Sequence, residues 1–132
     1  MRLTRFLEKA LDSDGHFIYV VEEMISSLGE FEQIVLLAIL RLGQGAYGVA
    51  IRSEIMKRTD RTPSTGALYM TLDRLEEKAF VASRLGDPTP QRGGRAKRYF
   101  SVTRAGVEAV QRAQLAYRSL LEGLQLLGGA HA

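Results

Sequence analysis

The chain has no cysteine and no tryptophan, only three prolines and two histidines. Without cysteine there is no disulfide framework and no thiolate chemistry. His16 falls at a turn and His131 beside the C-terminus, so they form no acid–base pair of the usual kind and have no metal-ligand spacing. Asp12 and Asp14 beside Gly15 look like a fragment of a calcium loop, but the other ligands and the closing glutamate are missing; the segment reads as a surface turn. Long apolar runs are absent too. The longest, Ile34–Leu40, is bounded by Gln33 and Arg41, far short of the ~18–20 residues of a membrane span. The first residues, MRLTRFLEKALDSD, carry acids among their leucines and hold no apolar stretch like a signal peptide's. The expectation is a cytoplasmic protein that is not an enzyme, takes no metal or cofactor and does not enter a membrane.

What is present is ordinary in bulk and uneven in distribution. A length of 132 residues allows one domain with a real core and little room for two. The net charge is +3. Residues 1–40 nevertheless hold three basic residues against seven acidic ones, a net of −4. Residues 84–104 hold six basic residues against Asp87 alone, a net of +5. A local field of that sign attracts a polyanion, although a solvated, solubilising loop has the same composition.

Hydrophobic spacing orders the chain into elements. Leu3, Phe6, Leu7, Ala10 and Leu11 mark one helical face, and Phe17, Val20, Val21, Met24 and Leu28 a second. FEQIVLLAILRLG, 31–43, is apolar almost all round, as a central helix is. After the turn GQGAYG, residues 46–60 predict another helix with Val49, Ile51, Ile55 and Met56 as apolar positions. Gly48 inside it costs ~1 kcal/mol relative to alanine, which points to close helix packing there. A third core helix carries the stripe Leu68, Leu72, Leu75 and Ala79. Its N-cap is either Thr62, with Pro63 as first helical residue, or Ser64. Segments 80–87 and 96–103 read as two strands around the loop PTPQRGGR, a β-hairpin. On the second strand Tyr99, Ser101 and Thr103 share one face and Arg98, Phe100 and Val102 the other, so one of Tyr99 and Phe100 belongs to the core. The last helix runs from near Thr103 to about Leu127. Its residues Val110, Ala113, Tyr117, Leu120, Leu124 and Leu127 follow heptad spacing. That is the seam of a coiled-coil dimer, or a face packed on its own domain.

The order helix, helix, helix, hairpin, helix is that of a winged helix-turn-helix, whose third helix enters the major groove of double-stranded DNA. The fold class expected is mainly α with a small β-hairpin, with extra N-terminal helices (1–27), a DNA-binding domain (28–103) and a C-terminal dimerisation helix (104–132). Charge gives the third helix a direction. PSTGALYM has no acid, whereas Asp73, Glu76 and Glu77 crowd the far end. With the N-terminal dipole this favours entry by the N-terminus, bringing Ser64, Thr65, Gly66, Tyr69 and Met70 nearest the bases. Gly66 allows close approach. Tyr69 also has the position of a core-edge tyrosine with a wet hydroxyl. Lys57, Arg58 and Arg61 suit phosphates, which position without specifying. Arg92, Arg95 and Lys97 in the wing suit a phosphate or a narrow minor groove. Arg98 shares a strand face with Phe100 and is a candidate to brace the hairpin. Glu76 and Glu77 read as a solvated face.

Four segments carry a resemblance: LGEFEQIVLLAILRL (28–42), AYGVAI (46–51), STGALYMTLDRLEEKAFV (64–81) and GGRAKRYFSVTRAGVEAV (93–110). In this order they look like the PadR family of bacterial transcriptional regulators. The family's Gly-x-Leu-Tyr-Pro pattern appears as Gly66-Ala67-Leu68-Tyr69-Met70, without its proline. Its usual Glu-x-x-Gly before the first strand has Ala79 at the glycine. The resemblance implies a homodimer held by the C-terminal helix, bound to a palindromic operator and usually repressing. The family often responds to small aromatic or drug-like effectors, and no residues here specify one. Residues 1–27 lie outside the match and either brace the dimer or form an extension. A protein–protein adaptor is the alternative function, and the charge of the wing, which an adaptor does not need, separates the two.

Overall fold

The computed structural model describes residues 27–87 and 96–126. The first amphipathic segment, the second (Phe17–Leu28) up to residue 26, the wing residues Arg92 and Arg95, and Leu127 lie outside the described residues. The element order is α1 (Glu30–Leu42), a short 3-10 turn (Gly43–Gly45), α2 (Gly48–Arg58), α3 (Thr65–Glu77), β1 (Val81–Leu85), β2 (Arg98–Val102) and α4 (Arg104–Leu121). This is the winged helix-turn-helix arrangement.

The core sits where α1 crosses α2, α3 and the hairpin. Val35, Leu36 and Ile39 of α1 meet Ile51 and Ile55 of α2 and Leu68, Leu72 and Leu75 of α3, all essentially without solvent contact. Each such side chain contributes about 1.5–3 kcal/mol of transfer free energy. Leu37 and Leu40 of α1 are exposed, so α1 is central without being buried all round. On α2 only Ile51 and Ile55 of the four expected apolar residues are buried. Val49 and Met56 face outward, at 70% and 41% exposure. An 11-residue helix in contact on one side needs a narrower stripe than the sequence offers.

The hairpin is antiparallel, with register from Val81 opposite Val102 to Leu85 opposite Arg98. Phe100 takes the core position and Tyr99 the outer face. A feature the sequence did not suggest is a third partner: Tyr47 bridges Tyr99, and the Phe100 N–H donates to Ala46 C=O at 2.8 Å. The residues just before α2 thus extend the wing's small sheet.

α3 ends in a Schellman turn. The Phe80 N–H donates to Leu75 C=O and the Ala79 N–H to Glu76 C=O. Ala79 therefore leaves the core stripe on which sequence spacing placed it. It is exposed and adopts φ +64°, alone among described non-glycine residues in the left-handed region. Thr103 locks this turn from the other side. Its hydroxyl donates to Ala79 C=O and accepts from the Gly106 N–H, capping α4, while its own N–H reaches Phe80 C=O.

α4 starts behind its Thr103 cap, as the spacing predicts, and differs from the expected 103–127 helix at its C-terminal end. Gly106, Ala109 and Val110 are buried against the domain's own core. The helix stops at Leu121 because Gly123 turns left-handed at φ +81°. Leu124 thus lies beyond the helix rather than on its heptad face. Ala113 is half-buried, while Tyr117, Leu120 and Leu124 stand exposed, Leu120 at 77%. No helix among the described residues is long and apolar enough to cross a membrane.

Candidate nucleic-acid interface

The N-terminal end of α3 is built by its cap and by α2. Ser64 is the N-cap, accepting the Ala67 N–H at 3.0 Å, which decides between the two caps the sequence allowed. Arg52 of α2 donates from Nε to Pro63 C=O and fixes the approach of the preceding loop. Ser64, Thr65, Gly66, Tyr69 and Met70 are all exposed on the helix's outer side. Nothing approaches Gly66 within 4 Å of where a methyl group would stand. Gly48 lies directly under the Tyr69 hydroxyl, and a methyl group there would overlap it. The close packing expected at Gly48 is therefore with a side chain, and it sets where the exposed ring of Tyr69 stands. Between α2 and α3 a cleft of about 300 Å³ opens beside Tyr69, lined by Val49, Arg52, Met56 and Thr65 among others.

Two acids at the other end of α3, Asp73 and Glu76, are engaged. Glu76 accepts the Ser83 hydroxyl at 2.8 Å and pairs with Arg98, whose guanidinium also lies 3.9 Å from Asp73 and 5.0 Å above the Phe100 ring. Glu76 is thus a tie between helix and wing rather than a solvated residue, and Arg98 braces the hairpin. Lys78 donates to the buried Glu32 of α1 at 3.0 Å, and Arg74 stands 3.6 Å from the same carboxylate. Glu32 also accepts the Gly29 N–H at 2.8 Å, capping α1. No local pattern announces a pair 46 residues apart.

The predicted backbone contacts fall into two groups. Arg58 pairs with Glu54, which Arg41 also reaches at 3.1 Å, and Arg61 pairs with Glu30. Hydrogen bonds from Arg58 and Arg41 outweigh partial burial and hold the Glu54 carboxyl below its ordinary range. Lys57 is exposed and reaches no carboxylate among the described residues. Lys97 lies over the Tyr47 ring, 4.2 Å from its centroid, and Tyr47 meets Tyr99 edge-on at 5.7 Å. Arg84, which sequence reasoning did not single out, stacks 4.8 Å above Tyr99. An exposed α3 end without acids, flanked by the base of a cationic hairpin, is an arrangement that accommodates a polyanion.

Residues 36–112 match the model of the transcriptional regulator PadR-like family. Solved structures with the same fold include a PadR-like transcription factor from Bacteroides fragilis, at 21% identity and a TM-score of 0.59 over 79% of this chain and 93% of that one. A PadR family transcription regulator from Clostridium difficile gives 22% and 0.57, covering 68% and 90%. A transcriptional regulator from Clostridium thermocellum gives 20% and 0.57, covering 69% and 85%. At these identities the likeness is one of fold. No curated protein matches the chain.

Proposed function

The chain belongs to the transcriptional regulator PadR-like family, and from that premise we propose that it is a sequence-specific repressor binding double-stranded DNA as a cytoplasmic homodimer on a palindromic operator. The observation that carries this reading is the asymmetry of α3, with its exposed N-terminal end free of acids and Asp73 and Glu76 at the far end facing Arg98 of the wing. In this reading Ser64, Thr65, Gly66, Tyr69 and Met70 meet base edges. Lys57, Arg92, Arg95 and Lys97 meet the backbone, and Arg58 and Arg61 exchange a surface carboxylate for a phosphate, a swap that costs little because exposed pairs are weak. The second half of α4 joins two protomers through Ala113, Tyr117, Leu120 and the segment to Leu124 and Leu127. The apolar exposure of Tyr117 and Leu120 supports this.

Fluorescence anisotropy against the DNA upstream of its own gene tests the reading. Binding tighter than to random duplex by about 10³-fold or more at moderate salt is expected. Equal binding to both sinks sequence specificity and leaves the adaptor reading. Sedimentation of Leu120→Glu with Leu124→Glu yields a monomer if α4 joins the protomers; a surviving dimer places the interface elsewhere.

A further inference from the structure

Six cations lie between residues 84 and 104, and the four described ones are held in two different ways. Arg98 and Arg104 each stand beside a carboxylate, Glu76 and Glu108. Arg84 and Lys97 have no carboxylate partner among the described residues and stand instead over tyrosine rings, at 4.8 and 4.2 Å. The strand register puts them together. Arg84 is opposite Tyr99, and the Gly86 N–H donates to Lys97 C=O, so Arg84, Gly86, Lys97 and Tyr99 share the hairpin's outer face. Gly86 is small because Tyr99 lies across it: a methyl group there would come within 2.6 Å of the ring. The neighbouring Asp87 is exposed and pairs with neither cation.

We propose that the root of the wing is a clamp for a DNA phosphodiester, in which Arg84 and Lys97, presented on Tyr99 and Tyr47, grip the backbone. The proposal rests on the DNA-binding reading and adds to it a residue and a place, the root rather than the tip. A guanidinium laid on a ring has its donors around its rim; Arg84 donates from Nη2 to Gln44 Oε1 at 3.3 Å, and its other donors are left for phosphate oxygens. Holding two like charges on one face without counter-charge is unfavourable until an anion arrives. The tyrosines also link the clamp to the reading helix. Tyr99 touches Tyr47, Tyr47 precedes Gly48, and Gly48 seats the Tyr69 hydroxyl. Backbone grip and base reading are thereby kept in one register.

Anisotropy titrations between about 50 and 200 mM KCl, on a random-sequence duplex and on the upstream DNA, test the clamp. For Arg84→Gln the slope of log affinity against log salt falls by about one, and affinity falls by the same factor on both duplexes. Arg84→Lys keeps the slope and loses affinity, because the charge stays but the stack does not. Tyr99→Leu, which retains apolar packing, weakens binding on both duplexes, and Arg104→Ala changes nothing. An Arg84→Gln protein with the wild-type slope and affinity overturns the clamp and leaves the repressor reading standing. A wild type that does not discriminate the upstream DNA, yet loses slope in Arg84→Gln, overturns sequence specificity and keeps the clamp. A wild type that binds neither duplex overturns both.

Discussion

At its N-terminal end α3 touches little: Ser64 caps it, Tyr69 rests on Gly48, and Gly66 faces open space. At its C-terminal end it is tied down from four directions. Lys78 reaches Glu32 of α1, Glu76 reaches Ser83 and Arg98 of the wing, and Thr103 binds the turn at Ala79. The second end is also where Gly106 lets α4 come against Phe80. The contrast shows how one helix can present a surface to a ligand and still be rigid. Most of the polar ties lie at the end the ligand does not visit, and the exposed end is held by the buried Leu68, the Ser64 cap and the seat of Tyr69 on Gly48. Moving a single methyl group at three points probes this division.

The largest effect is expected at the anchor. A methyl group on Gly106 would overlap the Phe80 carbonyl oxygen and stand 2.7 Å from Val102 Cγ1. Backbone cannot yield as a side-chain tip does, so Gly106→Ala costs about 2–3 kcal/mol even though alanine is the better helix former. Thermal unfolding should show a midpoint lower by about 10 °C. An unchanged midpoint means that α4 can slide away from the turn, and that α3 is anchored less firmly than its bonds suggest.

The second change lies one turn away and has the opposite sign. Ala79 occupies the left-handed position of the Schellman turn. That conformation costs an L-residue about 1–2 kcal/mol, and glycine's greater unfolded freedom takes back about 0.5–1 kcal/mol. Ala79→Gly should therefore stabilise the protein by about 0.5–1 kcal/mol in urea unfolding, with DNA affinity unchanged. Lower stability would mean that the alanine methyl group makes a contact that outweighs its backbone strain.

Ala79 also shows where the sequence could and could not be read. Helices with a sustained stripe were legible, since Leu68, Leu72 and Leu75 are buried at the spacing that announced them. So was the alternation that gave the core one of Tyr99 and Phe100, although not which, and the shared face that made Arg98 a candidate brace. Ala79 sat on the same stripe by count, and only the departure from Glu-x-x-Gly hinted that it is a turn. Val49 and Met56 misled because periodicity shows which positions can face a core, not how wide the neighbouring surface is. The end of α4 misled for a related reason: Leu124 keeps heptad spacing, yet one glycine at 123 redirects the chain. The Tyr47 bridge and the Glu32–Lys78 pair left no trace, because single contacts between distant segments have no period. Of the candidate site, the acid-free start of α3 was legible in the sequence, and its residues are exposed. Arg84 was not, since its distinction is the ring beneath it rather than its neighbours in sequence.

The smallest effect on stability falls at the reading end, and it separates reading from anchoring most directly. Gly66 is the second residue of α3, and a methyl group there meets nothing. Gly66→Ala should raise stability by about 0.5 kcal/mol, less than the full helix-interior gain because the position lies in the first turn. If α3 enters the major groove by this end, the same methyl group stands between helix and bases, and affinity for the operator should fall by about tenfold or more. The loss should be smaller on random duplex, where backbone contacts dominate. Urea unfolding and anisotropy on one preparation give both numbers. A more stable protein that binds its operator less well places Gly66 against DNA. Undiminished operator binding would instead move the reading surface along α3, toward Tyr69 and Met70.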